Sequence, residues 1–211
     1  MRVAVVDYGM GNLRSVSKAL EHVAPQAQIE VTSDPSRVAS ADRVVFPGQG
    51  AMPDCMREMD ARGLRPAVLE AARKRPFLGI CIGLQMLFER SDEGGVAGLA
   101  LLPGTVRHFP GDAMVDSHGL KLKVPHMGWN EVRQAGPHPL WAGVEEGSRF
   151  YFVHSYYPQT GEAGLVRGTT EYGVPFTCAV AQDNIFAVQF HPEKSAASGL
   201  RLLANFLNWN P

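Results

Sequence analysis

Apolar positions in the first third of the chain fall into short runs separated by segments of helical period. Val3-Ala4-Val5-Val6 reads as a buried strand, and Gln28–Thr32 and Arg43–Phe46 as two more. Between the first two, Leu13, Val16, Leu20 and Val23 mark one face of a helix over Asn12–Val23. A second helix fits Leu64–Arg73, a fourth strand Phe77–Ile80, and Leu84–Glu89 reads as a further helix. This βαβ succession predicts a mostly parallel sheet with helices on both faces. After Gly94-Gly95 the texture changes to strands and turns, at Arg149–His154, Gly164–Gly168, Phe176–Gln182 and Ile185–Phe190. These predict an antiparallel or mixed extension, closed by a last helix over Gly199–Trp209. No linker separates the halves, so residues 1–211 are expected to form one α/β domain. Its chemistry should sit at the carboxyl ends of the parallel strands.

Composition narrows the function classes. Apolar residues make up 45% of the chain and the formal net charge is −1. That balance gives no case for nucleic acid or an acidic membrane surface as partner. No apolar run approaches the length of about 20 residues that a membrane span needs. The first residues enter a strand directly and lack a signal-peptide pattern. Three cysteines, an odd number, fit a reducing cytoplasm. Metal spacings such as C-x-x-C or H-E-x-x-H are absent from the sequence, so neither a metal nor another cofactor is expected.

Gly79-Ile80-Cys81-Ile82-Gly83 lies between the fourth strand and the helix that follows. A Gly-x-nucleophile-x-Gly group in that setting is the signature of a nucleophile elbow. The turn is too sharp for a Cβ on either flank. It should lift one side chain into solvent near the amides of a helix N-terminus, where the thiolate is favoured. Cys81 is therefore the candidate nucleophile. Cys55, at a probable helix start, and Cys178, in a strand-like run, lack flanking glycines and read as core residues.

A cysteine nucleophile needs a base, and the base needs a group that orients it. Of His22, His108, His118, His126, His138, His154 and His191, the last stands apart. It ends an apolar strand at Phe190-His191-Pro192-Glu193. An extended i, i+2 pair projects to one side. Glu193 is thus expected to bond one imidazole nitrogen while the other faces the sulfur, a Cys-His-acid version of the serine triad. A strand-end histidine beside a solvated glutamate is the plainer alternative for this segment taken alone.

Two glycine-rich turns follow strands. Asp7-Tyr8-Gly9-Met10-Gly11-Asn12 begins like a dinucleotide fingerprint, but Arg14 occupies the third glycine position. In Phe46-Pro47-Gly48-Gln49-Gly50-Ala51 the glycines let a backbone N–H approach a ligand. An oxyanion hole for acyl transfer needs that geometry, together with the amide of Ile82. An ordinary tight turn would satisfy the same residues.

Gly79–Gln85 with His191-Pro192-Glu193 resembles the triad-type, class I glutamine amidotransferases. The resemblance implies a flavodoxin-like open sheet and hydrolysis of L-glutamine through a cysteinyl thioester. Asp7–Leu13, Pro125-His126-Met127-Gly128-Trp129-Asn130 and Tyr151–Tyr156 are similar to one branch of that family. Its members are glutaminase subunits that supply ammonia to the TIM-barrel cyclase subunit of imidazole glycerol phosphate synthase, in histidine biosynthesis. The implied roles are nucleophile for Cys81, proton shuttle for His191 and tautomer support for Glu193. Gly48, Gln49 and Ile82 would form the oxyanion hole. Gln85 and Glu93 would hold the amino-acid end of glutamine, with Gly50, Ser155 and Tyr156 lining the pocket. Pro125, Met127, Trp129, Tyr151 and Lys194 would face the cyclase in a heterodimer, although Trp129 and Tyr151 could instead be core aromatics. The family's usual oxyanion turn is Pro-Gly-Val-Gly, and here Gln49 replaces the valine. Glutaminases serving pyridoxal phosphate, anthranilate or guanylate synthases are the nearer rivals, and Pro125–Asn130 argues against them. An interaction subunit with a vestigial triad is the other alternative.

Overall fold

The computed structural model describes residues 1–111, 114–116 and 119–211; His118, one of the seven histidines, lies outside the described residues. The first half runs β1 (Arg2–Val6), α1 (Leu13–Val23), β2 (Gln28–Thr32), α2 (Pro35–Ser40), β3 (Arg43–Gly48), α3 (Met52–Ala61), α4 (Arg65–Lys74), β4 (Phe77–Cys81) and α5 (Ile82–Gln85). The second runs β5 (Phe88–Ser91), β6 (Leu102–His108), β7 (His126–Glu131), β8 (Arg133–Gln134), β9 (Arg149–His154), β10 (Tyr156–Gln159), β11 (Val166–Glu171), β12 (Pro175–Gln182), β13 (Ile185–Val188) and α6 (Ala196–Asn208).

The main sheet has eight strands in the order β2-β1-β3-β4-β13-β12-β11-β8. Pairing is parallel from β2 through β13 and antiparallel beyond. The expected parallel sheet with an antiparallel extension is therefore present. Strands β3, β4 and β13 are buried at every position, as continuous apolar runs require between two helical layers. The chain moves one way from β1 to β2 and the other way from β2 to β3. Right-handed crossovers then put α1 and α2 on opposite faces. In keeping with this, α1 packs with α6 and α2 with α4.

Two expectations need correction. The helix expected over Leu84–Glu89 stops after one turn, and Phe88–Ser91 becomes a strand beside β6. Leu84, Leu87 and Phe88 do have helical spacing, but neighbouring backbone takes their hydrogen bonds. Leu99 N–H donates to the Met86 carbonyl, Leu101 to Leu87 and Ala100 to Phe88. The strand expected over Gly164–Gly168 begins only at Val166, after a 3-10 turn over Ala163–Leu165. One helix, α2, was not anticipated, and of α3 only a start near Cys55 was expected. In α2, Asp34 caps the Ser36 N–H and Pro35 occupies the first turn. Its core contribution is the single residue Val38, so no apolar period announces it. In α3, Met52, Cys55, Met56 and Met59 form a buried stripe at i, i+3, i+4 and i+7.

Two small sheets sit over the carboxyl edge of the parallel strands: β10-β6-β5, and the hairpin-like pair β7-β9. In the latter, His126 lies opposite His154 and Trp129 opposite Tyr151. One face of the pair buries Phe150, Phe152, His126 and His154, while Met127 and Trp129 stay exposed.

Candidate active site

β4 brings Cys81 to the edge of the sheet beside Gly48, the last residue of β3. The cysteine backbone sits at φ 56° and ψ −114°, a region costing about 1–3 kcal/mol for a residue with a side chain. Close packing holds it there. A Cβ on Gly83 would collide with the Phe46 carbonyl. One on Gly48 would come within 2.6 Å of Tyr8 Oη and 2.7 Å of Ile82 Cβ. Tyr8 is fully buried and donates to the Pro47 carbonyl at 2.7 Å, so the first glycine turn props the second.

The sulfur is not lifted into solvent as expected. Cys81 is only 4% exposed, because Pro125, Val153 and His154 from the antiparallel half wall it into a cavity of about 310 Å³. The helix behind it is a single turn of four residues, which aligns few peptide dipoles. Near neighbours dominate the sulfur instead. Gln189 Nε2 lies 3.7 Å away as a donor, and the Val153 carbonyl 4.0 Å away as an acceptor.

His191 shares the cavity. β13 stops at Val188, and Glu193 belongs to a 3-10 turn, Pro192–Lys194. The expected contact forms, but through a turn rather than an extended pair. Nδ1 donates to Glu193 Oε1 at 2.9 Å, with the two side chains 4% and 0% exposed. Fixing the proton on Nδ1 leaves Nε2 for the sulfur side, and Nε2 has no hydrogen-bond partner among the described residues. Burial opposes the imidazolium, but the charges of Cys81 and Glu193, with the hydrogen bond to Glu193, outweigh it and raise the His191 pKa to about 10.

Gln49, Gly50, Ile82, Gln85, Glu93, Ser155 and Tyr156 line the same cavity, with Gly48 directly behind. Gln85 is buried and donates from Nε2 to the Tyr156 carbonyl at 3.0 Å and to Gln189 Oε1 at 3.1 Å. Its Oε1 has no partner among the described residues. Glu93 Oε2 accepts the Met52 N–H at the start of α3, 2.8 Å away. Pro125 joins the cavity wall. Met127 and Trp129 are 62% and 47% exposed, so Trp129 is not a core aromatic. Its ring lies 6.2 Å from that of half-buried Tyr151, which Lys194 Nζ approaches at 5.7 Å. Cys55 and Cys178 are buried, as expected.

Sequence reasoning missed two residues. Gln189 touches both Cys81 and Gln85; its signal is one glutamine inside the apolar run Phe186–Phe190. Ser195 latches the His191 backbone: Oγ donates to the His191 carbonyl at 2.6 Å and accepts the Tyr151 N–H at 3.0 Å. The His191 N–H returns to the Tyr151 carbonyl at 2.9 Å. Nothing local announces that latch. Among the described residues no three His, Cys, Asp or Glu gather as a metal site, and no helix is long and apolar enough to cross a membrane.

Residues 4–209 match the family described as "Glutamine amidotransferase class-I". A relative from Dechloromonas aromatica (strain RCB), "Imidazole glycerol phosphate synthase subunit HisH", is 68% identical over 99% of this chain and 97% of its own length. One of the same name from Thiobacillus denitrificans (strain ATCC 25259 / T1) is 66% identical, over 99% and 92%. The solved "Structure of PurLQS from Thermotoga maritima" superposes with a TM-score of 0.72 at 19% identity, covering 98% of this chain and 97% of that one, a likeness of fold.

Proposed function

The chain belongs to the class-I glutamine amidotransferases, and we propose that it works there as the glutaminase subunit of an imidazole glycerol phosphate synthase. It hydrolyses glutamine to glutamate and ammonia, and the ammonia passes to a TIM-barrel cyclase subunit that makes imidazole glycerol phosphate and the purine precursor AICAR in histidine biosynthesis. Residues 1–211 act as one amidotransferase unit. Three unpaired cysteines suit the reducing cytoplasm to which we assign it.

The observation that carries this reading is a strained elbow cysteine sharing one cavity with a histidine that is bonded to a buried glutamate. Cys81 sulfur attacks the side-chain carboxamide carbon of glutamine. The C–N bond breaks, and the His191 imidazolium gives its proton to the departing nitrogen, leaving ammonia and a γ-glutamyl thioester. Water then adds to the thioester with His191 as base, the C–S bond breaks, and glutamate leaves. We assign stabilisation of the negative oxygen formed in each step to the amides of Gln49 and Ile82, both of which line the cavity. Gln85 Oε1 and the free oxygen of Glu93 receive the substrate ammonium, where a charge-assisted bond is stronger than a neutral one.

Met127 and Trp129, with Tyr151 and Lys194 beside them, form the docking face for the cyclase. An exposed tryptophan backed by a second aromatic suits an interface anchor. Pro125 and Val153 carry that face into the cavity wall. Ammonia released without a partner would be protonated and lost, so hydrolysis should depend on docking, a coupling between two sites. The test is glutamate release by the chain alone and with the cyclase subunit, beside Cys81→Ala. Release that needs both partner and Cys81 is expected. Equal turnover without the cyclase would end the coupling idea, and activity surviving Cys81→Ala would end the nucleophile assignment.

A further inference from the structure

A pair of buried histidines that the triad does not use runs back from the cavity wall, His154 in the wall and His126 beyond it. His126 is clamped between Phe152 and Tyr172, with ring centroids 4.8 and 4.1 Å away and planes tilted by only 25° and 24°. Its Nδ1 lies 3.0 Å from His154 Nε2. His154 Nδ1 lies 2.8 Å from the Tyr156 carbonyl. At the other end, Asn130 Nδ2 is 3.4 Å from His126 Nε2 and 2.8 Å from the Glu171 carbonyl.

The carbonyl fixes where the protons go. Tyr156 O only accepts, so His154 carries its proton on Nδ1 and must accept at Nε2. His126 therefore donates from Nδ1, and its own Nε2 accepts from the Asn130 amide. Every bond in the line points the same way. Burial keeps both rings neutral, lowering the His126 pKa to about 4 and that of His154 to about 3. All four ring nitrogens are paired, and a fully satisfied buried network specifies one geometry.

The two ends of this line are what matter. The Tyr156 carbonyl also accepts from Gln85 Nε2 at 3.0 Å, and both residues line the catalytic cavity. His126 itself sits on β7, between the cavity residue Pro125 and the exposed Met127.

We infer that His126 and His154 form a positioning relay that sets the Tyr156 carbonyl, and through it the Gln85 amide in the glutamine pocket, from the docking strand β7. The inference rests on the glutaminase reading and adds two positioning residues to it; neither ring is hydrogen-bonded to a triad member.

The experiment compares glutamine KM and kcat in the complex with the cyclase. His126→Phe keeps a stacking ring but leaves His154 Nε2 without its donor. His126→Asn restores a donor near the Nδ1 position. We expect His126→Phe to raise KM about tenfold with kcat changed less than about threefold, and His126→Asn to recover most of that loss. In a Gln85→Ala background, His126→Phe should add less than about twofold, because the relay acts through Gln85. A lowered melting temperature with KM unchanged would overturn the relay and leave His126 a packing residue. ¹⁵N NMR of the imidazoles in the full chain near neutral pH is independent of turnover. Both rings are expected as neutral Nδ1–H tautomers, and an Nε2–H form of either overturns the relay. A wild-type complex releasing no glutamate would defeat the glutaminase reading, while the tautomers still decide the relay.

Discussion

Two histidine environments meet at the wall of one cavity. His191 and His154 both line it, 3% and 6% exposed, yet burial has opposite outcomes for them. His191, between Cys81 and Glu193, is raised to about 10. His154, between a second histidine and a backbone carbonyl, is lowered to about 3. Desolvation disfavours the charged ring in both places, so the neighbours decide. Glu193 and Cys81 hold a proton on one ring, which the proposed mechanism passes to the leaving group. Around the other ring, burial and the neighbouring histidines outweigh the single favourable bond to the Tyr156 carbonyl and keep it uncharged, where a proton would reverse a donor. On the proposed reading, the same side chain is a proton carrier in one region and a strut in the other.

Cys81 is the larger source of the His191 shift and Glu193 the second; removing the Glu193 charge, which leaves the nucleophile in place, should have the largest effect. Glu193→Gln keeps the size of the side chain but can no longer stabilise the imidazolium. The His191 pKa should fall toward its ordinary range, read by NMR titration. Turnover in the complex should drop roughly 10³–10⁴-fold, as when a triad acid is made neutral in other enzymes. A loss below about tenfold would mean that Cys81 alone sets the His191 charge.

The catalytic region was far more legible in the sequence than the strut region, for physical reasons. Cys81 lies between glycines that the turn demands, and Glu193 is two residues from His191, so short-range pattern carried both. The His126–His154 pair is 28 residues apart and exists only through the β7–β9 register. Nothing in the segment around either residue encodes that register. Gln189 and Ser195 are similar, since their partners come from other elements. The central parallel strands β3, β4 and β13 were legible because burial on both faces makes them largely apolar runs. The helix expected beyond Gln85 failed because residues 98–102 take the carbonyls that a helix would use.

Acid unfolding separates the two environments by sign. His126, His138 and His154 have folded pKa values lowered to about 4, 4 and 3, chiefly by burial, from 6.5. Below pH 6.5 the unfolded chain binds protons that the fold refuses, so stability falls as pH drops from 6.5 toward about 4. For fully buried His154 the slope is about 1.4 kcal/mol per pH unit. The stability that His191 contributes is complete below 6.5 and is lost only as pH rises through about 10. Urea midpoints at successive pH values should fall steadily on the acid side, and His126→Phe should make that limb shallower. A flat profile between pH 6.5 and 5 would erase the distinction between the two environments.

The smallest effects ask which region the proposed cyclase partner would grip. Trp129 is on β7, three residues from His126, whereas Lys194 follows Glu193 in the catalytic turn and leans over Tyr151 at 5.7 Å. Both side chains are outside the core, so Trp129→Ala and Lys194→Ala should each change folding stability by less than about 0.5 kcal/mol. Their effects on cyclase affinity should differ. A central exposed tryptophan is worth about 2 kcal/mol or more at an interface, roughly 30-fold in Kd. A cation over a half-buried ring is worth about 0.5–1 kcal/mol, a two- to fivefold change. Titration calorimetry of each variant with the cyclase measures both. The expected order puts the main grip on the strand that carries His126, so docking force reaches the neutral histidine pair before the charged one. A Lys194→Ala loss larger than that of Trp129→Ala would reverse the order. The partner would then act first on the turn that holds Glu193 against His191.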